Sequence, residues 1–151
     1  MNDAVSIQER LYPQLTCFGC GPANAKGLRL RSFPTDDGAA TAEFTPWPEH
    51  DNGFGFLNGG IIATVLDCHS GAAVYSDEGR RAAAVGEGLR LFVTAGIHVR
   101  YLRPVPLSET VGLHAAISST DARRTMVEVR LHCQGKICAT ASAEWRRWLP
   151  R

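Results

Sequence analysis

Taken as a string of apolar and polar positions, the chain changes period twice. Between 28 and 44 it alternates in short runs, with Leu28 and Leu30 on one face, then Ala40, Ala42 and Phe44 on one face of a second run. A turn at Asp36, Asp37 and Gly38 joins the runs into a hairpin of strands 28–33 and 40–44, and Pro46 and Pro48 stop further pairing. The period then becomes helical. Ile61, Ile62, Val65 and Leu66 recur at helical spacing behind Gly59 and Gly60, which predicts one long helix over 59–75. Residues 77–90, DEGRRAAAVGEGLR, are charged and glycine-punctuated and predict a surface loop.

From there to the end the period is two. Leu91, Val93, Ala95, Ile97, Val99 and Tyr101 form one apolar row, closed by Pro104 and Pro106. Val111, Leu113, Ala115 and Ile117 form the next, followed by Val127, Val129, Leu131 and Cys133, and then Ile137, Ala139, Ala141, Ala143 and Trp145. Each row predicts a long strand with one buried face, and Gly135 with Lys136 suits a tight hairpin. His98, Arg100, His114, Glu128, Arg130, His132 and Glu144 occupy the opposite, half-wet faces. Ahead of all this, residues 1–27 read as a lead with a helical turn near 7–11 and a CFGCG turn; residues 28–151 read as the single folded domain.

The predicted order is β-β-α-β-β-β-β. One helix cannot supply the crossovers of a doubly wound or ferredoxin-like sheet. The economical arrangement is α+β: a curved antiparallel sheet of about six strands wrapped around one central helix, the hotdog fold, with the alanine row of the last strand making room for the helix.

Composition narrows the function classes. At 151 residues with 44% hydrophobic content the chain suffices for one core without staples. A net charge of +1 argues against a nucleic-acid partner bound through a basic field. The opening MNDAVSIQERLYPQL carries no signal-type apolar run, and no stretch is long and apolar enough to predict a membrane span. Five cysteines, odd in number and without a framework, fit a reducing cytoplasm. CxxC at Cys17 and Cys20 is half a zinc knuckle with no second half, so the expectation is a tight turn with small buried thiols and no metal. Cys68 reads as core on a different helix face from Asp67. The five histidines show neither ligand spacing nor a triad partner.

The chemistry concentrates on the helix. Between Asp51 and Asp77 the only formal charge is Asp67, and it shares a face with Gly60, Ala63, Thr64, Gly71 and Val74. A solvated face would carry several charges; a lone acid on a stripe of small residues suits a close-approaching backbone or ligand. The free N–H groups at the helix start, around Gly59, form a natural oxyanion hole, and Asp67 is the natural base or nucleophile. Eight residues separate them, about 12 Å along the axis, so one helix cannot grip one reacting group with both. If both act, each meets its complement from a second copy, which predicts a homo-oligomer with shared sites.

The stretch HDNGFGFLNGGIIATVLD resembles the signature of hotdog acyl-CoA thioesterases of the PaaI-like group, which includes the acyl-CoA thioesterase 13 type. That pattern is an Asn, a His-Gly-Gly triplet and an Asp nine residues after the His; here Asn52, Gly59, Gly60 and Asp67 fill it without a gap. Asn58 replaces the family's His, which removes a group that titrates between pH 5 and 8. The segment LFVTAGIHVRYLRPVP is similar to the family's strand after the helix and puts Thr94 where that family often keeps a Ser or Thr near the attacking water. The likeness spans roughly 28–147, and the CFGCGPANAKGLRLR lead is similar to one in bacterial members.

What the resemblance implies is hydrolysis of an acyl-CoA or acyl-carrier thioester without a cofactor. The carbonyl oxygen would sit at Gly59 N–H beside Gly60, Asn52 would fix the loop or the carbonyl, Asp67 of the other subunit would activate water or attack, and Thr94 would hold the water. Arg123 and Arg124 in the DARRT turn, with Arg80 and Arg81, are candidates for coenzyme A phosphates against the alternative of solvated surface charges. Two other readings use the same scaffold: a hydratase or dehydratase on acyl thioesters, which the missing His disfavours, and a non-catalytic acyl-CoA binder, which has no reason to keep Asp67.

Overall fold

The computed structural model describes residues 4–151. It contains helix α1 (Ile7–Leu11), strands β1 (Ser32–Pro34) and β2 (Ala40–Phe44), helix α2 (Gly59–Val85), and strands β3 (Phe92–Tyr101), β4 (Val111–Thr120), β5 (Arg124–Cys133) and β6 (Lys136–Arg147). The six strands form one sheet in the order β1-β2-β4-β5-β6-β3, every pair antiparallel. The sheet packs on α2, which touches all six strands. This is the hotdog arrangement that the periodicities predict.

The alanine row does what its volume suggests. Ala139, Ala141 and Ala143 are all buried, and the helix reaches the sheet there through residues without bulk. At Gly71 an added Cβ would stand 2.7 Å from the Trp145 ring, so only glycine permits this approach. Trp145 Nε1–H donates to Ser70 Oγ at 2.8 Å, which satisfies the indole inside the core. His69 is fully buried and structural, with Nδ1 2.9 Å from Ser32 Oγ and Nε2 3.0 Å from the Ala40 carbonyl. Burial holds its pKa down at about 4.

Four expectations need correction. The helix does not stop at 75 but continues through the predicted loop to Val85. Asp77 pairs with Arg80 and Glu78 with Arg81 at helical spacing, Ala82 to Ala84 are strong helix formers, and Gly86 closes the end at φ +68. Strand 28–33 shrinks to Ser32–Pro34, because Arg29 takes φ +53. The Leu28 and Leu30 amides instead donate to the Phe18 and Gly19 carbonyls of the lead. The β5–β6 turn is Gln134-Gly135, both at positive φ, rather than Gly135-Lys136.

The fourth correction concerns β3. A bulge between Thr94 and Gly96 breaks its apolar row in two. Thr94 opposes buried Trp145 and Ile97 opposes buried Ala143, so these two face the helix although one is even-numbered and the other odd. Leu91 and Val93 fall on the outer side and are exposed at 45% and 46%.

Glu78 is buried at 2% side-chain exposure and held by Arg81 at 2.6 Å and Arg90 at 2.7 Å. Burial pushes its pKa up, but the hydrogen bonds from the two guanidinium groups outweigh this and bring it to about 2. A folded-state value below the unfolded one stabilises the fold above the ordinary carboxylate range and ceases to as pH falls through about 2. Thermal stability of the wild type is therefore expected to weaken steadily from pH 4.5 towards pH 2. Glu78→Gln should flatten that slope in scanning calorimetry; an unchanged slope would mean the pair carries no net stability.

Candidate active site

The approach to α2 is fixed by two asparagines. Asn52 Oδ1 accepts from Phe54 N–H at 2.8 Å and Phe56 N–H at 3.3 Å, which folds the NGFGF loop on itself. Asn58 is the N-cap: its Oδ1 accepts from Gly60 N–H at 2.7 Å and Ile61 N–H at 3.3 Å. The residue in the family's His position thus serves the helix itself. With those two amides taken, Gly59 N–H is the first-turn donor left without a protein partner among the described residues. The Gly59 carbonyl accepts from Tyr101 Oη at 2.8 Å, so the helix start is tied to the C-terminal end of β3. Removal of the cap by Asn58→Ala is expected to cost about 1 kcal/mol, a fall in Tm of about 2–4 °C by calorimetry.

Two turns further along, Asp67 is half-buried and accepts a hydrogen bond from Thr94 Oγ1 at 2.8 Å. Burial raises the Asp67 pKa, and the Thr94 hydrogen bond offsets only part of that rise. Both residues line a cavity of about 470 Å³ whose wall is otherwise mostly apolar, including Gly71, Tyr75, Phe92 and Trp145. The lead closes the far side: Ile7 is buried against the helix, and Tyr12, Leu15, Cys17 and Cys20 face the same space. An acid with one oxygen fixed by a hydroxyl, beside an apolar chamber of this size, can work on one polar bond attached to a hydrophobic tail.

The structure thus brings Asp67 and Thr94 together, and Asn58, Gly59 and Gly60 together at the helix start, while Asn52 braces the loop that leads into it. The candidate phosphate contacts lie apart from both. Arg81 is engaged by Glu78 and Glu87, and Arg80 by Asp77. They stand about 30 Å along the helix from Gly59. Arg123 and Arg124 sit at the β4–β5 turn, where their amides donate to Asp121. Sequence reasoning missed Tyr101 as a partner of the helix start. Cys68 is buried in the core, as its helix position predicts, and its sulfur lies 3.8 Å from that of Cys17. The path of the lead, which brings Cys17 there, leaves no periodic signal.

A sheet wrapped on one helix, with an acid and a capped helix start presented to the same edge strand, defines a hotdog protein built around α2. The model of the Thioesterase superfamily matches residues 54–139, more than half of the chain, and the chain belongs to that superfamily. The mouse acyl-coenzyme A thioesterase THEM4 is 29% identical over 73 residues, covering 48% of this chain; the chain spans about a quarter (26%) of that relative's length. A thioesterase superfamily protein from Shewanella loihica is 29% identical with a TM-score of 0.58, covering 80% of this chain and 91% of that one. The PaaI protein of the E. coli phenylacetic acid degradation operon shares the fold at a TM-score of 0.70 and 20% identity, covering 84% and 85%.

Proposed function

We propose that this protein hydrolyses acyl-CoA, or acyl-carrier, thioesters at a site shared by two subunits. The observation that carries the reading is the Asp67–Thr94 pair at the wall of the apolar cavity. Thr94 holds Oδ1 and leaves Oδ2 free for the proton of a water molecule. The oxygen of that water attacks the thioester carbonyl carbon. The resulting oxyanion is received by Gly59 N–H of the partner subunit at the positive end of its helix. Collapse breaks the C–S bond, the thiolate leaves, and the proton held by Asp67 passes to it. Asn52 and Asn58 act by fixing the loop and the helix start that present this amide.

Strand β3 supports the shared site. It is an edge strand, and it carries both ends of the chemistry: Thr94 beside Asp67, and Tyr101 beside Gly59. A two-fold axis passing at His98 would pair β3 with its own copy antiparallel and, with the extra residue of the bulge counted, set Thr94 opposite Tyr101 of the partner subunit. Exposed Val93, Ile97 and Tyr101 along that edge are the apolar surface such a pairing would cover. The Asp67–Thr94 hydrogen bond supports hydrolysis over the binder reading. Release of free thiol from a panel of acyl-CoAs, followed with a thiol-reactive dye, is the direct test. Turnover on at least one ester is expected, and none on any of them removes the proposal.

A further inference from the structure

Three thiols beside Asp67 have no part in that hydrolysis. Cys17 and Cys20 come from the CFGCG turn and Cys68 from α2, and their three sulfurs lie within 4.8 Å of one another. We propose that Cys17, Cys20 and Cys68 form a three-thiolate site for Zn2+, with its fourth position open to the cavity. Four ligands at tetrahedral angles with Zn–S bonds of about 2.3 Å put sulfurs about 3.8 Å apart. The Cys17–Cys68 separation is 3.8 Å.

The turn is pressed onto the helix so that the sulfurs can meet. An added Cβ at Gly19 would run into the Cys68 sulfur and stand 3.0 Å from the Thr64 methyl, so this position accepts only glycine. Gly21 N–H closes the turn on the Cys17 carbonyl at 2.8 Å. The donor set is sulfur alone, which selects a thiophilic ion over Mg2+ or Ca2+. A disulfide within CxxC would use two of these sulfurs and leave the third, brought from a separate element, without a partner.

Uptake exchanges the three S–H protons for the metal and releases them to solvent, so neither oxidant nor reductant is required. All three cysteines line the same cavity as Asp67, which leaves the fourth position to water. The ion would staple the lead to α2 where the lead walls the chamber. This site stands independently of the hydrolytic reading, because it can be read without substrate.

The test uses the full chain purified under reducing conditions without chelator. Elemental analysis is expected to find about one zinc per chain. After the metal is stripped, Co2+ should restore the visible bands of a tetrahedral thiolate site and the near-ultraviolet sulfur-to-metal band. Cys68→Ser should abolish both bands, Cys20→Ser should do the same without disturbing the helix, and Cys133→Ser should leave them intact. Protein with neither zinc nor Co2+ bands overturns the proposal. So does a Cys17–Cys20 disulfide that, once reduced, takes up no metal, and so do bands that survive both Cys68→Ser and Cys20→Ser.

Discussion

Asp67→Asn is expected to lower kcat for acyl-CoA hydrolysis by about 10²- to 10⁴-fold, the range that one positioned general base supplies. The substitution keeps the shape of the side chain and an acceptor for Thr94 Oγ1, which now donates at 2.8 Å, so the fold and the cavity should persist. What is lost is the capacity to take the proton of water. KM should move far less than kcat, because Asp67 meets the water and not the acyl tail. Equal turnover in wild type and variant, with both folded by circular dichroism, would remove Asp67 from the mechanism. A single turnover in heavy-oxygen water distinguishes the two roles of the acid: label only in the product marks a base, whereas label exchanged into Asp67 marks a nucleophile.

The second large effect is expected from Ile97→Asp. Ile97 sits near the centre of the exposed β3 edge, 37% exposed, where a two-fold axis at His98 would make two copies of the residue diagonal neighbours. Two carboxylates meeting there repel and must be desolvated, while within one chain the edge position leaves the new side chain partly in water. The variant should run at the mass of one 16.4 kDa chain by light scattering, where the wild type runs at twice that or more. Hydrolysis should fall in proportion to the monomer fraction, since each monomer retains Asp67 and Gly59 but on separate faces of the site. A wild type that is itself monomeric, or a monomeric variant with full turnover, contradicts the shared site.

How much of this was legible in advance depended on whether a residue's role is local. The helix around Asp67 was legible because a single charge interrupts an otherwise neutral stretch of two dozen residues. The cap at Asn58 was open to the same reading, since Asn just before a helical run is a start signal. The inner face of β3 was not legible, because a bulge between Thr94 and Gly96 reverses the alternation and no residue there announces it. Glu78 looked like surface charge within DEGRR until Arg90, twelve residues on, came back to cover it. Arg81, a candidate phosphate contact from the sequence, is committed to the same carboxylate. Cys68 reads as core on its own helix; only the fold of the lead supplies its neighbours. Thr94 was placed by likeness to other sequences, and nothing in its own surroundings along the chain marks it.

The lead lies outside residues 54–139, the part matched by the superfamily model, yet Tyr12 and Leu15 face the chamber beside Asp67. Among its described residues the only helix or strand is one short helix, and the lead contributes no strand to the sheet. Tyr12 and Leu15 can be exchanged with little disturbance to Asp67 and Thr94, which are held by other elements. On the proposed function, the tail of the substrate would be gauged by one segment and cut by another, so selectivity could drift while the chemistry stays put.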